Sequence, residues 1–229
     1  MSFHIKICGL KDAHLVDVAI DAGADMIGLV FFPKSPRHLD AEQAAPVALA
    51  ARGRAATVGL FVHPSDGMLT ETLRQLPLTH LQLHGQETPE RVDTLRTQTG
   101  KPVIKAIGVS HNRDISASRD FAAAADFLLF DTAKTAVATL PGGNGSAFDW
   151  SILTEISGDL PWLLAGGLTP ENIAEAILAV KHLPGFAGVD VSSGVESRRG
   201  EKDAGLIRAF TSHAKAAFAA PQPKAETHG

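Results

Sequence analysis

Strand-like apolar runs alternate with helical stretches eight times along this chain, and few folds accept that order. The runs lie at 4–8, 26–31, 57–62, 80–84, 103–109, 127–131, 162–166 and 188–193. Helical stretches follow at 12–22, 40–51, 66–75, 88–98, 113–124, 149–156, 170–181 and 201–217, read from period-two and 3.6-residue patterns. Thr88-Pro89-Glu90 and Thr169-Pro170-Glu171 each put a capping hydroxyl before a proline at the first helical position. Strict β-then-α alternation implies parallel strands joined by crossover helices. Eight units in 229 residues predict an α/β fold, a single closed (β/α)8 TIM barrel, with an open doubly wound sheet as the alternative. The domain is expected over 1–218. The segment 219–229 carries two prolines and no apolar pattern, and is expected to be a disordered tail.

Strand parity then sorts the polar residues. The outer face of a helix-covered parallel strand must be apolar, and alternate residues point to opposite faces. Ile5 and Ile7 oppose Lys6 and Cys8; Leu81 and Leu83 oppose Gln82 and His84; Val189 and Val191 oppose Asp190 and Ser192. On the same rule Lys105 opposes Ile104 and Ala106, and Asp131 opposes Leu128 and Phe130. The expected interior therefore holds Lys6, Cys8, Gln82, His84, Lys105, Asp131, Asp190 and Ser192. Burying so many polar groups is costly unless they pair, which argues for a site, with Lys6 and Asp190 as an interior ion pair.

Several of these residues close their strands, where such barrels do chemistry. Cys8 is the only cysteine, so it makes no intrachain disulfide. Free cysteines are usually inert hydrophobes, but Lys6 lies two residues deeper on the same face, and a nearby cation favours thiolate. Asp131 can cap a turn or transfer a proton; rim position and inward parity favour the second. Arg37, in Ser35-Pro36-Arg37, reads equally as a carboxylate fork or a solvated surface arginine. His84 reads as a ligand contact or a satisfied rim histidine. Gly/Ser-rich turns follow strands seven and eight, at Gly166-Gly167 and Ser192-Ser193-Gly194. In phosphate-using barrels the anion sits at this corner, held by backbone N–H groups. The 132–148 connection, with Pro141-Gly142-Gly143-Asn144-Gly145, is long enough to suggest a functional loop.

Composition excludes several other functions. A net charge of −4 gives no basic footprint for nucleic acid. No apolar stretch reaches the ~18–20 residues that span a bilayer. The strand pattern begins at once, which predicts no signal peptide, and one cysteine fits a reducing cytoplasm. The ten histidines are scattered, with no metal-ligand spacing. Monomer and homodimer stay open.

Taken in order, these segments resemble the phosphoribosylanthranilate isomerase family of tryptophan biosynthesis, from about residue 4 to 210. The resemblance rests on Lys6-Ile7-Cys8-Gly9, Ser35-Pro36-Arg37, Gln82-Leu83-His84-Gly85, and the Gly142–Gly145 turn with Phe148-Asp149-Trp150. It continues through Ala165-Gly166-Gly167-Leu168 and Val189-Asp190-Val191-Ser192-Ser193-Gly194-Val195-Glu196 with Lys202-Asp203. It implies an Amadori rearrangement of an N-(5-phospho-β-D-ribosyl)anthranilate without a cofactor. Asp131 would be the general acid, Cys8 the general base and Arg37 the carboxylate contact. His84, Gly143 and Asp190 join Arg37 as substrate-binding candidates, and Gly166, Gly167, Ser192, Ser193 and Gly194 form the phosphate cradle. The chain departs from the family pattern at Asn144, at Arg198-Arg199-Gly200 and in its long alanine-rich connection after Asp131. A sister phosphosugar isomerase would carry an acid where Cys8 stands, and an inactive scaffold barrel would have lost Cys8 or Asp131.

Overall fold

The computed structural model describes residues 3–133 and 149–221. Eight parallel strands close on themselves in sequence order. They are β1 (His4–Cys8), β2 (Met26–Phe31), β3 (Ala56–Phe61), β4 (His80–Leu83), β5 (Val103–Val109), β6 (Phe127–Thr132), β7 (Trp162–Leu164) and β8 (Phe186–Val191). Closure is made at β1, where Lys6 lies beside Met26 on one flank and Asp190 on the other. Among the described residues, seven α-helices lie in the connections: α1 (Ala13–Ala22), α2 (Ala41–Ala51), α3 (Asp66–Gln75), α4 (Pro89–Thr99), α5 (Asn112–Ser118), α6 (Ile173–Val180) and α7 (Ala204–Ala219). A two-stranded ribbon of β9 (Glu196–Arg198) and β10 (Glu201–Lys202) precedes α7.

Local chemistry explains the boundaries. Asp12, Asp40, Ser65, Thr88 and Asp203 each cap a helix by accepting from a first-turn N–H. Thr88 stands before Pro89 as expected. The matching Thr169-Pro170 unit instead forms a turn, with the Thr169 hydroxyl accepting from Glu171, and α6 starts only at Ile173. Two expected helices are tighter or shorter. The 113–124 stretch is the short α5 followed by a 3-10 turn at Arg119–Phe121, because the Ser118 hydroxyl turns back to the Ile115 carbonyl. The 149–156 stretch is a 3-10 helix at Trp150–Glu155 capped by Asp149. Gly143, the rest of the Gly-rich turn and the tail beyond Pro221 lie outside the described residues.

The wall separates two apolar layers. Outside it, Ile5, Ile7, Leu81, Leu83, Leu128 and Phe130 pack with the helices in the main core. Inside, Met26, Val58, Ile104, Leu129 and Leu163 fill the barrel, and Cys8, Val30 and Leu60 form a smaller cluster. This corrects one expected orientation. Ile104 and Ala106 face inward, so Lys105 points outward, in register with Leu83 and Leu128 on its two flanks. Laterally paired residues share a face, and both leucines belong to the outer layer. The rule that polar means interior fails because Lys105 finds partners between the wall and the helices.

Candidate active site

The C-terminal ends of the strands bring the candidate residues to one rim. Cys8 ends β1, His84 directly follows β4, Asp131 is the second-to-last residue of β6, and Asp190 lies near the end of β8. Gly28 of β2 makes room for the thiol. A Cβ there would sit 2.8 Å from Cys8 Sγ and 3.0 Å from Lys6 Nζ.

Cys8 is buried at 4% exposure. Lys6 Nζ donates to Asp190 Oδ1 at 2.7 Å, the interior ion pair anticipated from parity. Burial pushes the Cys8 thiol above its ordinary value, and Lys6, the strongest opposing influence, does not cancel it. The cation pulls the thiol towards thiolate as expected, and burial outweighs that pull. Burial also opposes the charge on Lys6, yet Asp190 and Cys8 outweigh it and raise the Lys6 pKa.

On the opposite side of the rim, Asp131 Oδ2 lies 3.3 Å from His84 Nε2, and Asp131 Oδ1 accepts from the Thr132 N–H at 2.8 Å. His84 Nδ1 meets Gln82 Nε2 at 3.2 Å. Gly166, at φ +84°, is required beside Asp131. Its Cβ would lie 2.4 Å from the Thr132 nitrogen and 3.0 Å from Asp131 Oδ1.

The two Gly/Ser turns meet closely, since a Cβ at Gly194 would fall 1.8 Å from the Leu168 carbonyl oxygen. Gly166, Gly167, Ser192 and Ser193 line a cavity of about 30 Å³ that also touches Asp131 and Asp190. Asp131 and His84 line in addition a cleft of about 500 Å³. The Ser192 hydroxyl is already engaged: it donates to the Cys8 carbonyl at 3.0 Å and lies 3.2 Å from Lys202 Nζ.

Arg37 is buried, which removes the solvated-surface reading. Its Nε and one terminal nitrogen grip Glu196 at 2.6 and 3.0 Å. Lys202 Nζ reaches the same carboxylate at 2.7 Å. Burial works against ionising Glu196, but Arg37 and Lys202 hold its pKa down at about 2. Burial, aided by Arg37, lowers Lys202 to about 8. Sequence reasoning gave no role to Glu196, Lys202 or Gly28. A glycine inside the apolar run Met-Ile-Gly-Leu-Val-Phe was the available signal for Gly28. For Glu196 the signal was the need to balance a buried arginine.

Among the described residues no cluster of three or more His, Cys, Asp or Glu could hold a metal ion, and no helix is long and apolar enough to cross a membrane.

Comparison with known proteins places this rim among relatives. The family model described as N-(5'-phosphoribosyl)anthranilate (PRA) isomerase matches residues 5–213. The N-(5'-phosphoribosyl)anthranilate isomerase of Paramagnetospirillum magneticum is 51% identical over 94% of this chain and 98% of its own. That of Paracoccus denitrificans is 50% identical over 94% and 99%. The crystal structure of the Thermotoga maritima enzyme aligns at TM-score 0.80 with 34% identity, covering 93% of this chain and 99% of that one. A further structure, of such an isomerase in complex with reduced 1-(o-carboxyphenylamino)-1-deoxyribulose 5-phosphate, aligns at TM-score 0.77 with 32% identity, covering 93% and 99%.

Proposed function

The chain belongs to the N-(5'-phosphoribosyl)anthranilate isomerase family, and from that premise we propose how its own residues divide the reaction. The enzyme catalyses the Amadori rearrangement of N-(5-phospho-β-D-ribosyl)anthranilate to 1-(2-carboxyphenylamino)-1-deoxy-D-ribulose 5-phosphate, in tryptophan biosynthesis. Asp131 is the general acid. It gives its proton to the furanose ring oxygen, the ring C–O bond breaks, and a Schiff base forms. Cys8 is the general base. Its thiolate takes the proton from C2, and the enolamine then gains a proton at C1 while its 2-hydroxyl gives one up, which leaves the C2 ketone. Atoms and electrons balance without an external oxidant or cofactor.

The observation that carries this reading is the position of Asp131, which lines both the large cleft and the small cavity between the two turns. A sugar phosphate anchored in the small cavity would put its ring beside this acid. Backbone N–H groups of Gly166, Gly167, Ser193 and Gly194 would cradle the phosphate, while Ser192 braces Cys8 through its carbonyl. His84 Nε2 lies 3.3 Å from Asp131 Oδ2 and is placed to pass it a proton. An iminium in the opened substrate puts a positive charge near Cys8, which acts with Lys6 against the cost of burying a thiolate. Arg37, oriented by Glu196, offers its remaining donors to the anthranilate carboxylate. We further propose that these parts lie in one barrel domain, 1–218, working in the cytoplasm as a monomer or homodimer. Nucleic acid and membrane play no part.

The test is turnover of freshly made phosphoribosylanthranilate, followed by loss of its anthranilate fluorescence. Asp131→Asn is expected to lower kcat roughly 10²–10⁴-fold, the usual worth of a positioned acid. Arg37→Ala is expected to raise KM by about tenfold or more, as loss of a charged hydrogen bond would. Full activity in Asp131→Asn would remove the acid from this scheme, and an unchanged KM would remove Arg37.

A further inference from the structure

Lys105 and Glu87 form a buried ion pair outside the barrel wall, and nothing in the reaction described above uses it. Both side chains are 2% exposed, with Lys105 Nζ 2.8 Å from Glu87 Oε2. Isolated pairs of this kind are often no better than apolar residues of the same size. Their other contacts are more informative.

Lys105 Nζ also donates to the Gly85 carbonyl at 2.7 Å and the Leu83 carbonyl at 3.3 Å. Those carbonyls flank His84 on either side. Glu87 accepts from the Gly85 N–H at 3.0 Å and from the His63 N–H at 2.9 Å. The backbone on both sides of His84 is therefore tied to one pair, reaching in from β5 and from the loop before α4. Room for this has been left at Gly85, where a Cβ would lie 2.5 Å from Glu87 Oε1. His63, held by the same carboxylate, is at φ +49° and is the one non-glycine residue with positive φ among those described. Strained backbone persists only where its surroundings over-determine it, and it gathers at functional sites.

We propose that the Lys105–Glu87 pair is a positioning device that aims the His84 imidazole at Asp131 from behind the barrel wall. This rests on the reading of Asp131 and His84 given above. The pair lines the same cleft as His84 and Asp131, but its further hydrogen bonds go to backbone groups around His84 and His63. It fixes the peptide units from which His84 projects, while Gln82 holds the ring from inside the barrel. Misplacing a catalytic contact by about 1 Å can cost roughly 10²-fold in rate, so a rigid mount for one ring has a measurable consequence.

The test is a functional double-mutant cycle. Lys105→Met and Glu87→Gln are each made in the wild type and in a His84→Asn background, and kcat, KM and the melting temperature are measured on phosphoribosylanthranilate. In the wild-type background kcat is expected to fall roughly tenfold, with KM changing less than about twofold. In the His84→Asn background the same changes are expected to cost less than about twofold, because coupled residues are not additive. Equal losses in both backgrounds, or a lowered melting temperature with unchanged kcat, would overturn the proposal. Should the single variants fail to fold, Lys105→Met with Glu87→Leu replaces the pair by apolar groups, a change buried pairs commonly tolerate, and the same two outcomes decide. Full kcat in His84→Asn alone would instead refute the underlying reading of the site, and the inference with it.

Discussion

Two lysines are buried with carboxylate partners on opposite faces of the same wall. Lys6 faces inward and meets Asp190 at 2.7 Å; Lys105 faces outward and meets Glu87 at 2.8 Å. The distances match, but the surroundings do not. Lys6 shares its space with the Cys8 thiol, and each alters the other's ionisation. Lys105 shares its space with backbone carbonyls and the ring of Phe121, 5.7 Å away. Burial opposes ionising Glu87, and Lys105 with the His63 N–H more than compensates, so the carboxyl stays below its ordinary range. On the proposed scheme the inner pair acts on the Cys8 thiol through its charge, and the outer pair acts on His84 through geometry.

The sharpest way to break this distinction is to remove each lysine and follow kcat/KM with pH. Lys6→Met leaves Asp190 buried and unpaired, a destabilisation of about 3–5 kcal/mol. It also removes the cation that pulls the thiol down, so the rising limb of kcat/KM, which reports the free enzyme, should move to higher pH. Lys105→Met should lower kcat and leave that limb in place. A limb that moves equally in both variants would erase the difference between the pairs.

A smaller effect is expected at Gly28, which belongs to the inner pair alone. Gly28→Ala forces a methyl against Cys8 Sγ and Lys6 Nζ. Overpacking of this kind costs about 1–3 kcal/mol, read by thermal melting, and activity should fall as the thiol is displaced. Wild-type stability and rate would mean that the inner pair has slack that the geometry does not show.

An effect of similar size concerns acid pH, where Glu196 with Arg37 and Lys202 supplies a third buried carboxylate for comparison. Its folded pKa of about 2 lies below the ordinary 4.5, so its stabilisation is complete above about 4.5. It is lost as pH falls from there towards about 2, because the unfolded chain takes up the proton first. At about 1.4 kcal/mol per unit the contribution is at most roughly 3.5 kcal/mol. Melting temperatures should fall more steeply over that window in wild type than in Glu196→Gln; identical slopes would remove Glu196 from the balance.

The inner pair could be read from the sequence, and the outer one could not. Ile5 and Ile7 forced Lys6 and Cys8 inward, and the same alternation placed Gln82, Asp131 and Asp190. In β5 the rule gave the wrong face, because Ile104 and Ala106 are apolar and inward while Val103 is apolar and outward. A strand buried on both sides has no polar face to orient it. Only the register with Leu83 and Leu128 decides, and register is a tertiary fact. Glu87 was hidden for a related reason: it lies in a loop, and its partner lies 18 residues away on the next strand. Arg37 read equally as a carboxylate fork or a surface arginine, because its present partner, Glu196, is 159 residues distant. The shortened α5 and the late start of α6 show the usual weakness of boundaries, where one serine or one turn decides.

The inner pair matters only if the thiol above it takes a proton, and the most direct measurement is kcat of Cys8→Ser on freshly made phosphoribosylanthranilate. Serine keeps the shape of the side chain and replaces a moderately acidic thiol with a hydroxyl that does not ionise near neutrality. With the fold checked by melting, kcat should fall roughly 10²–10⁴-fold while KM changes little. A kcat within about twofold of wild type would contradict the assignment and return Cys8 to the packing residue that most buried cysteines are.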